Sequence, residues 1–161
     1  MIQITINKIL YGLILLNKYN TVQTKIYMNE KILTIIKPDA MNHCSEIWTI
    51  ILNAGFVIHK SKKIQFTHKQ AEEFYFLHPH SKSFTEFMIS GECMVAILEK
   101  NNAVKDFRKL IGDDNPAKAK PGTIRALFGN PKLYAKGIPA NAIHGPESLR
   151  IAKLEIELIY S

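Results

Sequence analysis

The chain has 161 residues, 47% hydrophobic and 22% charged, which fits a single globular domain. Its two cysteines, Cys44 and Cys93, are too few for a disulfide framework and wrongly spaced for a metal cage, so they read as core thiols in a reducing, cytoplasmic compartment. The formal charge of +7 suits polyanionic phosphates, but Arg occurs only three times and no long basic run exists, which argues against a dedicated nucleic-acid partner.

Residues 1–27 carry Lys8, Lys18 and Lys25 and no acid. Their apolar run, residues 9–16 (ILYGLILL), is too short to span a bilayer, and no small-x-small cleavage signature follows it. This stretch reads as an N-terminal extension, disordered or non-native, with Met28 as the natural start of the domain. The domain, residues 28–161, then holds 18 basic and 14 acidic residues.

Residues 32–36 (ILTII) predict a buried strand that ends at Lys37-Pro38-Asp39, because proline cannot donate into a ladder. Ser45 is placed to cap a helix from about Glu46 to Ala54, stopped by Gly55. Residues 56–65 predict a strand. Thr67 is placed to cap a helix through Glu73 and Tyr75, and residues 83–90 predict a second short helix ending at Gly91. Residues 94–98 (MVAIL) predict a buried strand. Val104, Phe107, Leu110 and Ile111 recur at helical spacing before Gly112. Residues 112–141, rich in proline and glycine, predict a long loop, functional or disordered. Pro146 is suited to open a last helix, with Leu149, Ala152, Leu154 and Ile156 on its inward face. Helices on a small antiparallel sheet, in this order, predict an α+β sandwich of the ferredoxin-like type.

Several fragments can carry chemistry. Lys37-Pro38-Asp39 stands at a strand end and Arg108 lies on a helix. Asn115-Pro116-Ala117 and Lys120-Pro121-Gly122-Thr123-Ile124-Arg125 fall in the long loop, and Asn141-Ala142-Ile143-His144-Gly145 precedes the last helix, which carries Glu155. Each is weak alone; a lone His beside Gly is more often structural. Together, in this order and from Lys31 to Ile159, they resemble the nucleoside diphosphate kinase family.

The resemblance implies a ping-pong phosphotransferase. A nucleoside triphosphate gives its γ-phosphoryl group to His144, and a nucleoside diphosphate collects it. Neutral imidazole is the nucleophile, and a carboxylate that accepts from its other nitrogen fixes the tautomer; by family position that is Glu155. Lys37, Arg108 and Arg125 match the phosphate-contacting cations, a role suited to the planar guanidinium fork. Asn141 matches the sugar contact, and Tyr75 a residue that secures Lys37 and the histidine. Mg²⁺ is the implied cofactor, held mainly by nucleotide phosphates rather than by the protein. The implied partners are ATP and other nucleoside tri- and diphosphates, and further copies of the chain in a tetramer or hexamer, with no membrane.

The chain departs from the family in four places. Pro146 and Glu147 replace a small hydroxyl residue and an Asp. Asp114 stands where a threonine contacts a phosphate. The stretch between Tyr75 and Gly91 is short, leaving Phe84 as the second apolar wall of the base clamp, with the first either missing or taken by His80. The stretch from Arg125 to His144 is long, with extra residues within 129–140. These departures support the alternative of a catalytically weakened nucleotide-binding or assembly module.

Overall fold

The computed structural model describes residues 29–76 and 82–161, and leaves the side chains of Tyr75, Phe76 and Lys82 undescribed. The extension of residues 1–27, His80 and the Tyr75 side chain therefore lie outside the described residues. Within them, four strands form one antiparallel sheet: β1 (Asn29–Ile36), β2 (Val57–Ile64), β3 (Cys93–Asn101) and the two-residue β4 (Ile143–His144), in the order β2-β3-β1-β4. The ferredoxin-like sandwich expected from the element order is the architecture observed.

β1 is central. It pairs with β3 along its whole length, Ile32 opposite Leu98 and Ile36 opposite Met94, and its end pairs with β4, Ile35 opposite His144. Both faces of the sheet are covered, which explains why β1 reads as an unbroken apolar run rather than an alternating one. On one face Ile32, Ile36, Ala96 and Leu98 pack with Ile47 and Ile51 of α1 (Cys44–Asn53) and with Phe107 and Ile111 of α4 (Ala103–Ile111). On the other, Leu33, Ile35 and Val95 pack with Phe74 of α2 (His68–Phe76), Met88 of α3 (Lys82–Ile89), and Ile156 and Ile159 of α7 (Leu149–Tyr160). Cys93 is buried in this second cluster, where burial pushes its thiol up to about 12, while Cys44 is half-buried at the rim of the first. Both are free thiols.

Three local expectations are corrected. Ser45 does not cap α1. The chain turns from β1 into a 3₁₀ turn (Pro38–His43) that runs straight into the helix, and the Cys44 N–H is satisfied by the Met41 carbonyl, so no side-chain cap is required. Pro146 does not open α7. Ser148, whose Oγ accepts from the Ile151 N–H at 3.3 Å, caps a helix that starts at Leu149, because it has the acceptor that proline lacks. The long loop contains two five-residue helices, α5 (Ile124–Phe128) and α6 (Pro131–Ala135), too short to show a period in sequence. α6 carries the Asn-Pro start signal: Asn130 Oδ1 accepts from the Lys132 and Leu133 N–H groups, both at 3.1 Å, and Pro131 fills the first turn. The inserted residues close on themselves, since Asn130 N–H donates to Ala140 O at 2.8 Å. The Thr67 cap is as expected, with its Oγ1 accepting from Gln70 N–H at 3.2 Å.

Candidate active site

β4 is too short to hold itself, so the neighbouring residues hold it. Lys37 N–H donates to Ala142 O at 2.9 Å, and Asp39 Oδ2 accepts from Ala142 N–H at 3.0 Å. The Lys-Pro-Asp segment thus grips both backbone groups of Ala142. That residue takes a left-handed φ of 67°, which an L side chain rarely adopts and which needs such a grip to persist. Burial raises the Asp39 carboxyl above its usual range, opposed by the Ala142 N–H and the Lys37 charge; its Oδ1 has no hydrogen-bond partner among the described residues. Thr34, a polar residue in the centre of β1, donates from Oγ1 to His144 O at 2.9 Å. Gly145 follows because nothing larger fits: a Cβ there would lie 2.6 Å from Phe107 Cδ1.

The His144 side chain leaves the sheet on the α7 side. Its Nε2 lies 2.7 Å from Oε1 of Glu155, which is fully buried. Phe74 meets the imidazole edge to face, with ring centroids 5.1 Å apart. A buried carboxylate at Nε2 favours the proton on that nitrogen, so the neutral ring presents its lone pair at Nδ1.

Around this histidine the chain forms an open cleft of about 520 Å³ lined by Lys37, Phe84, Arg108, Asp114, Arg125 and Asn141, together with Tyr134, Gly145 and Glu147. All six residues expected at the substrate site therefore share one cleft with His144. Lys37 is buried; its Nζ donates to Asn141 Oδ1 at 2.7 Å and to Pro139 O at 3.1 Å, and lies 5.6 Å from the centre of the Phe84 ring. Burial, and then the Arg125 charge, lower its pKa to about 7 against the opposing pull of Asp39 and Asp114.

The two arginines differ. Arg125 is only 3% exposed and donates to Ile143 O from Nη2 at 3.1 Å and from Nε at 3.3 Å, and to Gly112 O from Nη1 at 3.0 Å. It braces the strand that carries His144 as well as facing the cleft. Arg108 is 33% exposed and reaches Asp114 Oδ1 at 3.6 Å, an oxygen to which Arg125 Nη1 also donates. Asn141 is likewise committed at both ends, accepting from Lys37 and donating from Nδ2 to Asp114 O at 2.8 Å.

The family model described as nucleoside diphosphate kinase matches residues 30–161. The chain belongs to the nucleoside diphosphate kinase family. It is 47% identical over 137 residues to the nucleoside diphosphate kinase of Campylobacter lari, covering 82% of this chain and 96% of that protein. It is 42% identical to the enzyme of Chlamydia abortus, over 82% of this chain and 93% of that one. Among solved structures, the Aquifex aeolicus nucleoside diphosphate kinase aligns with a TM-score of 0.73 and 37% identity, over 83% of this chain and 96% of that chain. The apo enzyme of Encephalitozoon cuniculi aligns with the same TM-score and 30% identity, over 81% and 88%. The reaction of nucleoside diphosphate kinases is exchange of a γ-phosphoryl group between a nucleoside triphosphate and a nucleoside diphosphate, through a phosphohistidine.

Against that family background, three site features escaped the sequence. Asp39 sits in a segment read for its lysine, and its grip on Ala142 depends on a strand 103 residues away. Tyr134 belongs to the inserted segment, which has no motif to announce it. Glu147 lines the cleft although only its mismatch with the family pattern was visible. The inserted segment also touches the shortened one: Ser83 Oγ donates to Gly137 O at 3.0 Å.

Proposed function

We propose that this chain carries the nucleoside diphosphate kinase exchange through Nδ1 of His144. The carrying observation is the 2.7 Å contact between His144 Nε2 and Glu155 at the floor of a cleft lined by Lys37, Arg108 and Arg125. In the first half-reaction the Nδ1 lone pair attacks the γ-phosphorus and the bond to the β-bridging oxygen breaks, so that the diphosphate leaves. In the second, a diphosphate oxygen takes the phosphoryl group back and the N–P bond breaks. Glu155 stabilises the positive ring throughout by accepting from Nε2–H. Lys37 and the exposed edge of Arg108 face the equatorial oxygens, where charge is greatest in the transition state. Arg125 acts through position as well as charge. Phe84 forms one wall for the base. Asn141 holds Lys37 through Oδ1 and has the second N–H of Nδ2 to donate to the sugar.

Among the described residues no group of three or more His, Cys, Asp or Glu could hold a metal ion. The donors that suit Mg²⁺ are the nucleotide's own phosphates, with Glu147 a cleft acid that could take part through water. Bound there, Mg²⁺ would supply positive charge to screen the phosphates.

Among the described residues no helix is long and apolar enough to cross a membrane. A homo-oligomer is supported by the edge of β2, open among the described residues, which begins at Val57, 59% exposed, and by Leu52, 50% exposed on α1. We place it in the cytoplasm on the buried, reduced Cys93 and the half-buried free Cys44.

Incubation with γ-labelled ATP is expected to leave acid-labile, base-stable label on the chain, and added GDP is expected to remove it as labelled GTP. Absence of label, or label that persists in His144→Ala, would overturn the assignment in favour of a binding or assembly module.

A further inference from the structure

We propose that Asp114 is an internal occupant of the phosphate site, a carboxylate that holds Arg108 and Arg125 until the phosphates of a nucleotide displace it. The proposal rests on the reading that these two arginines face the nucleotide's phosphates.

Asp114 Oδ1 accepts from Arg125 Nη1 and lies 3.6 Å from Arg108 Nη1, so a single oxygen joins both guanidiniums. A carboxylate and a phosphate present a guanidinium with the same thing, negatively charged oxygens matched to its planar fork. They cannot use the same N–H groups at once. The cleft therefore contains a bound anion before any substrate arrives, and that anion is part of the chain.

Its exchange is mechanically simple. The Asp114 side chain is 54% exposed, and the residue's backbone is tied, with its carbonyl accepting from Asn141 Nδ2 at 2.8 Å. Rotation of the side chain towards solvent releases the N–H of Arg125 Nη1 and the edge of Arg108 that it holds, while Arg125 keeps its bonds to Ile143 O and Gly112 O and the loop stays in place. The acid does not leave by protonation: although burial opposes its charge, Arg125 and then Arg108 hold the carboxyl below its usual range. Neighbouring Asp113 does not compete for the arginines, since its Oδ1 accepts from Asn115 N–H at 2.8 Å.

The device has two effects. The arginines stay ordered in the empty enzyme, and each incoming nucleotide must break an existing pair, which weakens binding and speeds product release. Titration calorimetry of parent, Asp114→Asn, Asp114→Thr and Arg108→Ala with ADP, with and without Mg²⁺, tests this. Both Asp114 variants are expected to bind free ADP and inorganic pyrophosphate about three- to tenfold more tightly than the parent, the weight of one part-exposed ion pair. Adenosine, which has no phosphate, is expected to show no gain. Unchanged or weaker binding of ADP by both variants would overturn the proposal. So would a loss confined to Mg²⁺-ADP, which would make Asp114 a residue directed at the metal. Arg108→Ala separates the two levels: if it leaves ADP binding intact, the phosphate reading of the cleft fails, whatever Asp114 does.

Discussion

At His144 the tautomer depends on a residue outside the cleft lining. Glu155 is fully buried, and its Oε1 lies 2.7 Å from Nε2, where it accepts from the ring N–H. Glu155→Gln keeps the shape but removes the charge and offers an N–H where an acceptor was. It is expected to slow phosphohistidine formation between about 10²- and 10⁴-fold, with little change in ADP affinity. Rapid-quench measurement of the labelled enzyme, beside an ADP titration, checks both halves. Of the individual residues, those whose role follows from their own chemistry were legible in the sequence: a histidine, a lysine, two arginines and a carboxylate in family order. Asp39 was not, and Asp114 was legible as an acid at a phosphate position but not as the partner of two arginines. Their roles lie in what they hold, Ala142 and the two guanidiniums, and such partners appear only when the chain is folded.

Among the elements, the site depends on β4, a strand of two residues whose position is fixed from outside. Its right flank is packed against α4, where Phe107 and Ile111 fill the space a side chain at 145 would need. Gly145→Ala is expected to destabilise the protein by about 1–3 kcal/mol through overpacking, and to lower the rate of His144 phosphorylation because any relief moves the adjacent nucleophile. Denaturant unfolding and single-turnover labelling of the same preparation check the two effects together. Strands and helices longer than about eight residues were legible because their apolar residues recur on one face or fill a buried run, as in β1, β3 and α4. The two helices of the 112–141 segment were read as loop, since five residues complete little more than one turn. The start of α1 was misplaced because a 3₁₀ turn, invisible to periodicity, did the work of a cap.

For the molecule as a whole, the cleft is a cost to the fold. Lys37 is buried with a pKa lowered to about 7 from 10.5, so the unfolded chain holds its proton more tightly than the native one. The sign follows from linkage. The unfolded state carries the extra proton between about pH 7 and 10.5, so this residue makes stability rise with pH across that window, and the gain is lost as pH falls towards 7. Replacing it by Lys37→Met removes the titration. The stability of the parent relative to this variant is therefore expected to increase from pH 7 to 10.5, as followed by urea unfolding at several pH values. A flat difference would show that Lys37 does not titrate in that range. The antiparallel sheet and its two helical layers were legible from element order, whereas the contact of the shortened stretch between Tyr75 and Gly91 with the inserted segment, through Ser83 and Gly137, joins two departures that sequence could only register separately.

The inserted segment closes with a hydrogen bond between Asn130 and Ala140, and its Tyr134 faces the cleft. Its two ends are neighbours, so the chain between them can change in length without moving the anchor points. What it must keep is the Pro139 carbonyl, which holds the Lys37 ammonium. One wall of the cleft is therefore open to replacement between two adjacent anchors, while Arg125 and His144 keep their places.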